Sequence, residues 1–430
     1  MIVALMKYYF SLRYWNRAPL DSIKSMQLKK FRKVFEHARK HSRFYREYYG
    51  DHGVLDLKIK SMEDIKKVPL INKAILRKYS TGDIMTRNMD RHIHIHSTSG
   101  SSGEPFKIAF NRYEDYTAHV RVFWALRKAG YKITDKIVII SRYNEEDKFE
   151  IEKDLSTLGT IQGKLNLFKR EIISIYEPVD QIIAKLLKTR ARVLWSTPSI
   201  MQIVANRLKE EEIKLSFPII FFTSEVISPR QKELFISYLG KKIINVYGSM
   251  ESPCLGFDID FKERFVIFPN SNLFEFRAAS TNDANENGLS KILITNLMNK
   301  TMPFIRFDLN DLTELDNTPE LGFKYIKKII GRQDDILKLK NGKEFAHHHA
   351  YEMFKDFHEC EMYKFIQKPD KTVLLQLKIA RDQDQSYIEK LAYKRWRKRF
   401  EEVPLQIEFV NNFALNPQTG KFKNIEIEKQ

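Results

Sequence analysis

Residues 192–248 read RVLWSTPSIMQIVANRLKEEEIKLSFPIIFFTSEVISPRQKELFISYLGKKIINVYG. Three apolar runs stand out in them: RVLWS at 192–196, PIIFFTS at 218–224 and KIINVYG at 242–248. Each is short and rich in β-branched and aromatic residues, the composition of a strand buried on both faces. The segments between, 198–209 and 229–239, open with proline. Its missing N–H costs nothing in the first turn of a helix, where that group has no intrahelical partner. Upstream, IVIIS at 137–141 and a helical stretch at 178–188 continue the alternation. Strand alternating with helix predicts an α/β fold with a mostly parallel sheet covered on both faces. Small and polar residues follow the runs, namely Ser196-Thr197, Ser224-Glu225 and Tyr247-Gly248-Ser249. Ligands collect outside the carboxyl ends of such strands, so these tips are expected to converge on one cleft.

Downstream the pattern changes. From about residue 261, FVIFPNSNLFEFRA and KILITNL alternate like strands with DANENG between them, which predicts an antiparallel section. Beyond Gly331 come strand-like LLQLKIA at 374–380, a charged helix around 385–400 and strand-like LQIEFV at 405–410, enough for a small α+β domain. A chain of 430 residues is long for one compact unit. The expected division is a large N-terminal domain over 1–330 and a small mobile domain over 331–430. His347, His348 and His349 are adjacent and so share no face of a strand or helix, which makes a polar strand end the better reading than a metal site.

Composition narrows the class. Apolar residues are 43% and charged residues 30%, as in an ordinary globular protein, so long disorder is not expected. Two cysteines, Cys254 and Cys360, lie far apart and give neither a disulfide framework nor a thiolate zinc site. MIVALM at the start is followed by Lys7 and not by a long apolar core, so neither a signal peptide nor a transmembrane span is expected and the chain reads as cytoplasmic. Of the net charge of +18, half sits in residues 1–60, with 14 Lys or Arg against five Asp or Glu. Leu28, Phe31, Val34, Phe35 and Ala38 recur there at helical spacing. The basic residues are therefore read as a solvated helix face before a nucleic-acid site; a peripheral membrane contact is left open.

The densest chemical signal is Ser97-Thr98-Ser99-Gly100-Ser101-Ser102-Gly103-Glu104-Pro105. Hydroxyls and backbone N–H groups unobstructed by Cβ atoms suit phosphate, although Ser/Gly composition alone more often marks a flexible linker. RHIHIHS before it and FKIAF after it alternate like strands, so the loop joins two strands. It lacks the lysine and helix of a P-loop.

With this loop, the chain resembles the adenylate-forming (acyl-AMP) ligases, in their phenylacetate–CoA ligase and CapK-like branch. The resemblance runs in order from about residue 28 to 425. ARKHSRFYREYY is similar to the branch's N-terminal helix, FFTSEVISP to its adenine-side turn and NVYGSMESP to the Tyr-Gly-x-x-Glu motif. PFIRFDLNDL resembles the segment ending in the ribose-binding aspartate, IIGRQDDILKLKNG the interdomain hinge, and NPQTGKFKNI the C-terminal Gly-Lys motif. Two departures stand out: Glu104 where many members carry lysine, and Asp308 with Asn310 where phenylacetate-type enzymes carry arginine, on the acyl or CoA side.

The resemblance implies a ligase that activates a carboxylic acid with ATP as acyl-AMP, releases pyrophosphate and hands the acyl group to a thiol, of CoA or a carrier protein, or to an amine. It implies Lys421 and Glu251 as catalytic, with Glu251 holding Mg²⁺. The nucleotide would be held by Thr98, Ser99, Gly100, Ser101, Ser102, Gly103, Ser224, Glu225, Tyr247, Gly248, Ser249, Asp311 and Arg332, with Asp334 as the hinge. The chemistry agrees: a carboxylate meets the α-phosphate only if a metal and a placed cation offset the repulsion of the anions. Taken singly, Glu251 is more often a helix N-terminal acid, Asp311 a turn residue, and Lys421 a surface lysine almost every time. Their joint order favours the enzyme over its rival, a non-catalytic protein of the same fold that binds nucleic acid or an anionic membrane. ATP and Mg²⁺ are the implied cofactors, CoA is the candidate second substrate, and no nucleic acid is expected.

Overall fold

The structure, a computed structural model, describes residues 1–86, 93–97, 106–142, 169–278, 289–314, 322–332, 336–354, 357, 359–379, 383–401, 403–411, 413 and 422–428. In chain order the elements are α1 (Ile2–Trp15), α2 (Leu20–His41), α3 (Arg43–Asp51), the single turns α4 (Met62–Ile65), α5 (Lys73–Leu76) and α6 (Thr81–Ile84), β1 (Ile93–Ser97), β2 (Lys107–Asn111) and α7 (Arg112–Lys128). Then follow β3 (Ile137–Ser141), β4 (Arg170–Ser174), α8 (Val179–Lys188), β5 (Val193–Ser196), α9 (Pro198–Glu210), β6 (Ile219–Thr223), α10 (Pro229–Tyr238), β7 (Ile243–Tyr247), β8 (Gly256–Ile259) and β9 (Phe265–Ile267). The remainder are β10 (Asn272–Ala278), β11 (Leu289–Asn296), β12 (Phe307–Glu314), β13 (Tyr325–Ile326), β14 (Ile329–Arg332), β15 (Leu337–Lys338), β16 (Glu344–Phe345), α11 (His347–Phe354), β17 (Cys360–Gln367), β18 (Val373–Ile379), α12 (Gln385–Phe400), β19 (Leu405–Phe409) and β20 (Ile425–Ile427). They divide into two compact units, Met1–Gly130 with Ile244–Ile329, and Tyr131–Ile243 with Ile330–Gln430.

In the first unit, α2 buries Ile23, Gln27, Phe31, Val34, Phe35 and Ala38 and leaves Lys29, Arg32, Lys33 and Lys40 exposed, the amphipathic face that the spacing predicts. Phe31, Phe35, Tyr45 and Tyr49 join Phe304 and Phe307 in one core, each such ring contributing about 2–3 kcal/mol by leaving water. Strands β10, β11 and β12 run antiparallel in that order, while β7, β8, β9 and β13 form a second antiparallel set. Strands β1 and β2 pair antiparallel across the Ser/Gly loop, as the alternation predicts.

The second unit carries the parallel layer. Its strand order is β6-β5-β3-β4, with all three pairings parallel. PIIFFTS fills the interior: Ile219, Ile220, Phe221 and Phe222 are buried. Helix α10 starts on a capping box in which Ser228 and Gln231 satisfy each other's backbone N–H groups. Residues from Leu337 onward build an α+β body with the sheet β19-β18-β17-β20 and a core around Phe345, Phe365, Trp396 and Phe400. Gln202 Nε2 donates to Glu361 O at 2.9 Å and Arg230 Nη1 to Phe357 O at 2.6 Å, tying this body to α9 and α10.

The fold class is thus α/β, with a parallel-rich layer, antiparallel sheets and a C-terminal α+β body. One local expectation is corrected: His347, His348 and His349 open a helix and are not a strand end. His349 is buried, and its Nδ1 accepts the Ala346 N–H at 3.0 Å, which serves the helix start from inside the first turn.

Candidate active site

The site residues of the first unit gather on the loop after β7 and on β12. Tyr247 is the last residue of β7, and its hydroxyl donates to Asp311 Oδ2 at 2.7 Å. The position of Asp311 has a backbone cause. Leu312 of β12 stands opposite Lys291 of β11 and Asp308 opposite Leu293, so residues 309–311 face Ile292 alone. The extra length is taken up in a bulge at Asn310, which lies at φ 62° with its N–H held by Asp308 Oδ1 at 2.8 Å. Bulges re-aim side chains beside functional sites, and this one brings Asp311 to Tyr247. Asp308 and Asn310, the two departures from the arginines of phenylacetate-type enzymes, are the pair that closes this turn.

Residues 248–254 are pinned from several sides. Ser249 N donates to Ser252 O at 3.3 Å, and Ser252 N to Ser249 O at 3.2 Å. The Ser252 hydroxyl donates to Asn272 Oδ1 at 2.7 Å, and Asn296 Nδ2 to Glu251 O at 3.3 Å. Buried Arg121 on α7 donates through Nη2 to Pro253 O at 2.6 Å and through Nε to Cys254 O at 3.0 Å. Cys254 takes φ 54°, folding the loop back so far that a Cβ on Gly248 would lie 2.7 Å from Cys254 N. Only glycine tolerates so close an approach of backbone to backbone.

This loop carries Glu251, whose side chain is 2% exposed. Its Oε1 accepts no hydrogen bond from the described residues and lies 2.9 Å from Lys73 Nζ, at the start of α5. A carboxylate oxygen is the hard donor type that hard cations take, and here its burial is offset by one lysine. Glu114, also buried, is by contrast fully engaged in structure: it boxes the start of α7 with Asn111 and takes the N–H groups of Lys300 and Thr301 at 2.7 and 3.2 Å.

In the second unit, Ser224 sits just past β6 at φ 78°, its hydroxyl 2.9 Å from that of Thr223. Glu225 spends its carboxylate on the start of α9, accepting Ser199 N and Ser199 Oγ, each at 2.8 Å. Arg332 ends β14 next to Gly331, which takes φ 133°. Thr98, Ser99, Gly100, Ser101, Ser102, Gly103, Asp334 and Lys421 lie outside the described residues.

Lys73 and Arg121 were not legible as site residues. Lys73 sits in an ordinary charged turn, INKAILRK, and Arg121 reads as one more charge on a mixed helix. A lysine or arginine among apolar neighbours gives no sign of its partner when the partner is more than a hundred residues away. Among the described residues no cluster of His, Cys, Asp or Glu is arranged to hold a metal by itself, and no helix is long and apolar enough to cross a membrane.

No family model matches the chain. It is 22% identical over 356 residues to phenylacetate-coenzyme A ligase of Pseudomonas putida, covering 81% of this chain and 79% of that one. It is 23% identical over 418 residues to the protein CapK of Staphylococcus aureus, covering 91% and 86%. Its structure superposes with a TM-score of 0.73 on 2-hydroxyisobutyryl-CoA ligase in the postadenylation state in complex with R3-HIB-AMP, at 16% identity over 96% of this chain and 90% of the other.

Proposed function

We propose that this chain, a member of the adenylate-forming (acyl-AMP) ligase superfamily in its phenylacetate–CoA ligase and CapK-like branch, activates a carboxylic acid with ATP and transfers the acyl group to a thiol, with CoA as the acceptor. The names of the relatives support CoA. The observation that carries the reading is the Tyr247–Asp311 hydrogen bond beside a pinned loop bearing a buried, lysine-paired Glu251. No assembly of charge is needed for folding there, since a well-packed apolar group would serve the core at least as well.

In this reading Tyr247 offers its ring to adenine and fixes Asp311, whose carboxylate accepts from the ribose hydroxyls. The tyrosine bond does not exhaust Asp311, because a carboxylate has about four lone-pair directions. Lys73 brings a cation to the phosphates, and the hydroxyls and N–H groups of 98–103 hold their outer oxygens. Glu251 fits Mg²⁺, which takes one or two carboxylates and completes its shell with water and phosphate oxygen; when bound it supplies charge neutralisation at the polyphosphate. Lys421, from the domain over 331–430, places its ammonium on the oxygens that join as carboxylate meets α-phosphate, and Arg332 and Asp334 belong to the segment that lets that domain move.

Acid-dependent exchange of labelled pyrophosphate into ATP, screened over aryl, fatty and amino acids, tests the first half-reaction without knowledge of the acceptor. Exchange with at least one acid class is expected. A folded chain that binds ATP and exchanges with none would overturn the reading.

A further inference from the structure

Helix α1 is held by one face and offers the other to solvent. On the inner side Tyr8 and Leu12 are buried, the Tyr8 hydroxyl meets Ser271 Oγ at 2.6 Å and takes a bond from Arg121 Nη1 at 3.0 Å, and Asn270 Nδ2 donates to Ser11 Oγ at 2.9 Å. On the outer side Ile2, Met6, Phe10 and Tyr14 recur every four residues with Val3 beside them, and each is more than half exposed. Such spacing lines one face of a helix. Isolated exposed apolar residues are ordinary, but a continuous stripe of five on a helix anchored from behind is not.

The charge around the stripe selects its partner. Residues 1–20 contain Lys7, Arg13 and Arg17 and no acidic residue; all three are exposed, and Lys7 and Arg13 lie on the outward half of the helix. A second copy docking by the same face would bring two cationic stripes together, which like-charge repulsion opposes. An anionic bilayer complements both features, since its headgroups attract the lysine and arginines while its acyl boundary receives Ile2, Met6 and Phe10, with Tyr14 at headgroup level. We propose that α1 is an interfacial helix that docks this protein on an anionic lipid surface, with the stripe Ile2–Met6–Phe10–Tyr14 facing the bilayer. Its inner hydrogen bonds hold the first unit against that surface, and one of them comes from Arg121, which also pins the loop bearing Glu251.

Cosedimentation of the full chain with phosphatidylcholine vesicles, with and without phosphatidylglycerol, tests this. The chain should pellet with the anionic vesicles and be released by salt. Phe10→Glu should lower its partitioning by about tenfold or more, and Lys7→Glu with Arg13→Glu should weaken it about fivefold per charge. All three positions are exposed, so thermal melts of the variants should match the parent. Absence of pelleting with phosphatidylglycerol would overturn the proposal, as would equal pelleting of Phe10→Glu. So would concentration-dependent self-association, lost in Phe10→Glu, in a chain that binds neither vesicle.

Discussion

Lys73 Nζ lies 2.9 Å from Oε1 of Glu251, and the two residues come from segments almost 180 positions apart in the chain. The pair joins the α5 turn to the loop after β7. Removing the lysine leaves a carboxylate with 2% of its surface exposed and no other ion-pair partner among the described residues. Lys73→Met is expected to destabilise the protein by ~2 kcal/mol, below the usual range for a fully buried pair because the lysine is itself one third exposed. Glu251→Gln on the same background should restore part of that loss. Urea unfolding of the two single variants and the double variant measures the coupling; strictly additive effects would show that the contact contributes nothing. In the exchange assay Glu251→Gln should lose rate and Mg²⁺ dependence together, and an unchanged Mg²⁺ titration would remove Glu251 from the metal's ligands.

The Tyr247 hydroxyl and Asp311 should separate binding from positioning. Asp311→Ala is expected to raise KM for ATP by about tenfold or more with a smaller change in kcat, since ribose contacts are shared by ground and transition states. Tyr247→Phe keeps the ring and removes the 2.7 Å bond that fixes Asp311, so its effect should run in the same direction and be smaller. Steady-state kinetics in ATP decide this. A kcat loss exceeding the KM change in Tyr247→Phe would argue for a direct part in chemistry.

The fold class was legible in the sequence. The α/β layer followed from the bounded apolar runs, because a strand buried on both faces has few alternatives at that length. Motif order named Tyr247, Glu251 and Asp311 as candidates, and the first and last of these meet in a hydrogen bond. The bulge at Asn310 did not, since a register shift depends on how β11 and β12 pair and leaves no periodic trace. The helix at His347 was missed for a related reason: its start relies on His349 reaching back to Ala346, a bond that histidine does not advertise in sequence.

Gly248 carries a purely steric prediction. A methyl group there would sit 2.7 Å from Cys254 N, and the loop is fixed by Arg121, Asn272 and Asn296, so it cannot give way easily. Gly248→Ala should cost ~1–3 kcal/mol and weaken ATP binding at the same time, because relief requires moving the loop that carries Glu251. Thermal melts paired with nucleotide titration check it. A stable variant with full affinity would show that the loop yields.

Strand β1 presents His94 and His96 to Asp115 on α7, at 2.7 and 3.3 Å. The hydrogen bond to Asp115 holds His96 above the usual histidine range against the opposing effect of burial. Burial also opposes ionisation of Asp115, yet hydrogen bonds from His96 and His94 and the charge of His119 outweigh it and carry its pKa down to about 2. The histidine's contribution to stability is complete below its unfolded pKa of 6.5 and is lost as pH rises through the higher folded value. That of the aspartate is present above 3.8 and is lost as pH falls toward 2. Unfolding free energy should therefore decline above pH 6.5 by ~0.5 kcal/mol, the size of a half-exposed pair. His96→Gln should flatten that decline in urea titrations between pH 5.5 and 9, whereas a slope unchanged by the substitution would assign it to other groups.

Lys421 and Asp334 are separated by opposite effects on the two half-reactions. A cation used mainly as the acid joins the phosphate lowers kcat more than it raises KM, so Lys421→Ala should leave ATP affinity nearly intact while pyrophosphate exchange falls by about two orders of magnitude or more. A hinge concentrates its φ/ψ change in a few residues, and proline fixes φ near −65°. Asp334→Pro should consequently retain most of the exchange activity and slow acyl delivery to CoA severely. Gly331, three positions before Asp334, takes φ 133°, backbone space that residues with a Cβ rarely enter. Single-turnover transfer from preformed acyl-AMP, measured on the same folded variants as the exchange, distinguishes the two roles. Parallel loss of both steps in Asp334→Pro, or no loss in either, would reject the hinge; equal loss of ATP affinity and rate in Lys421→Ala would reject the transition-state role of the lysine.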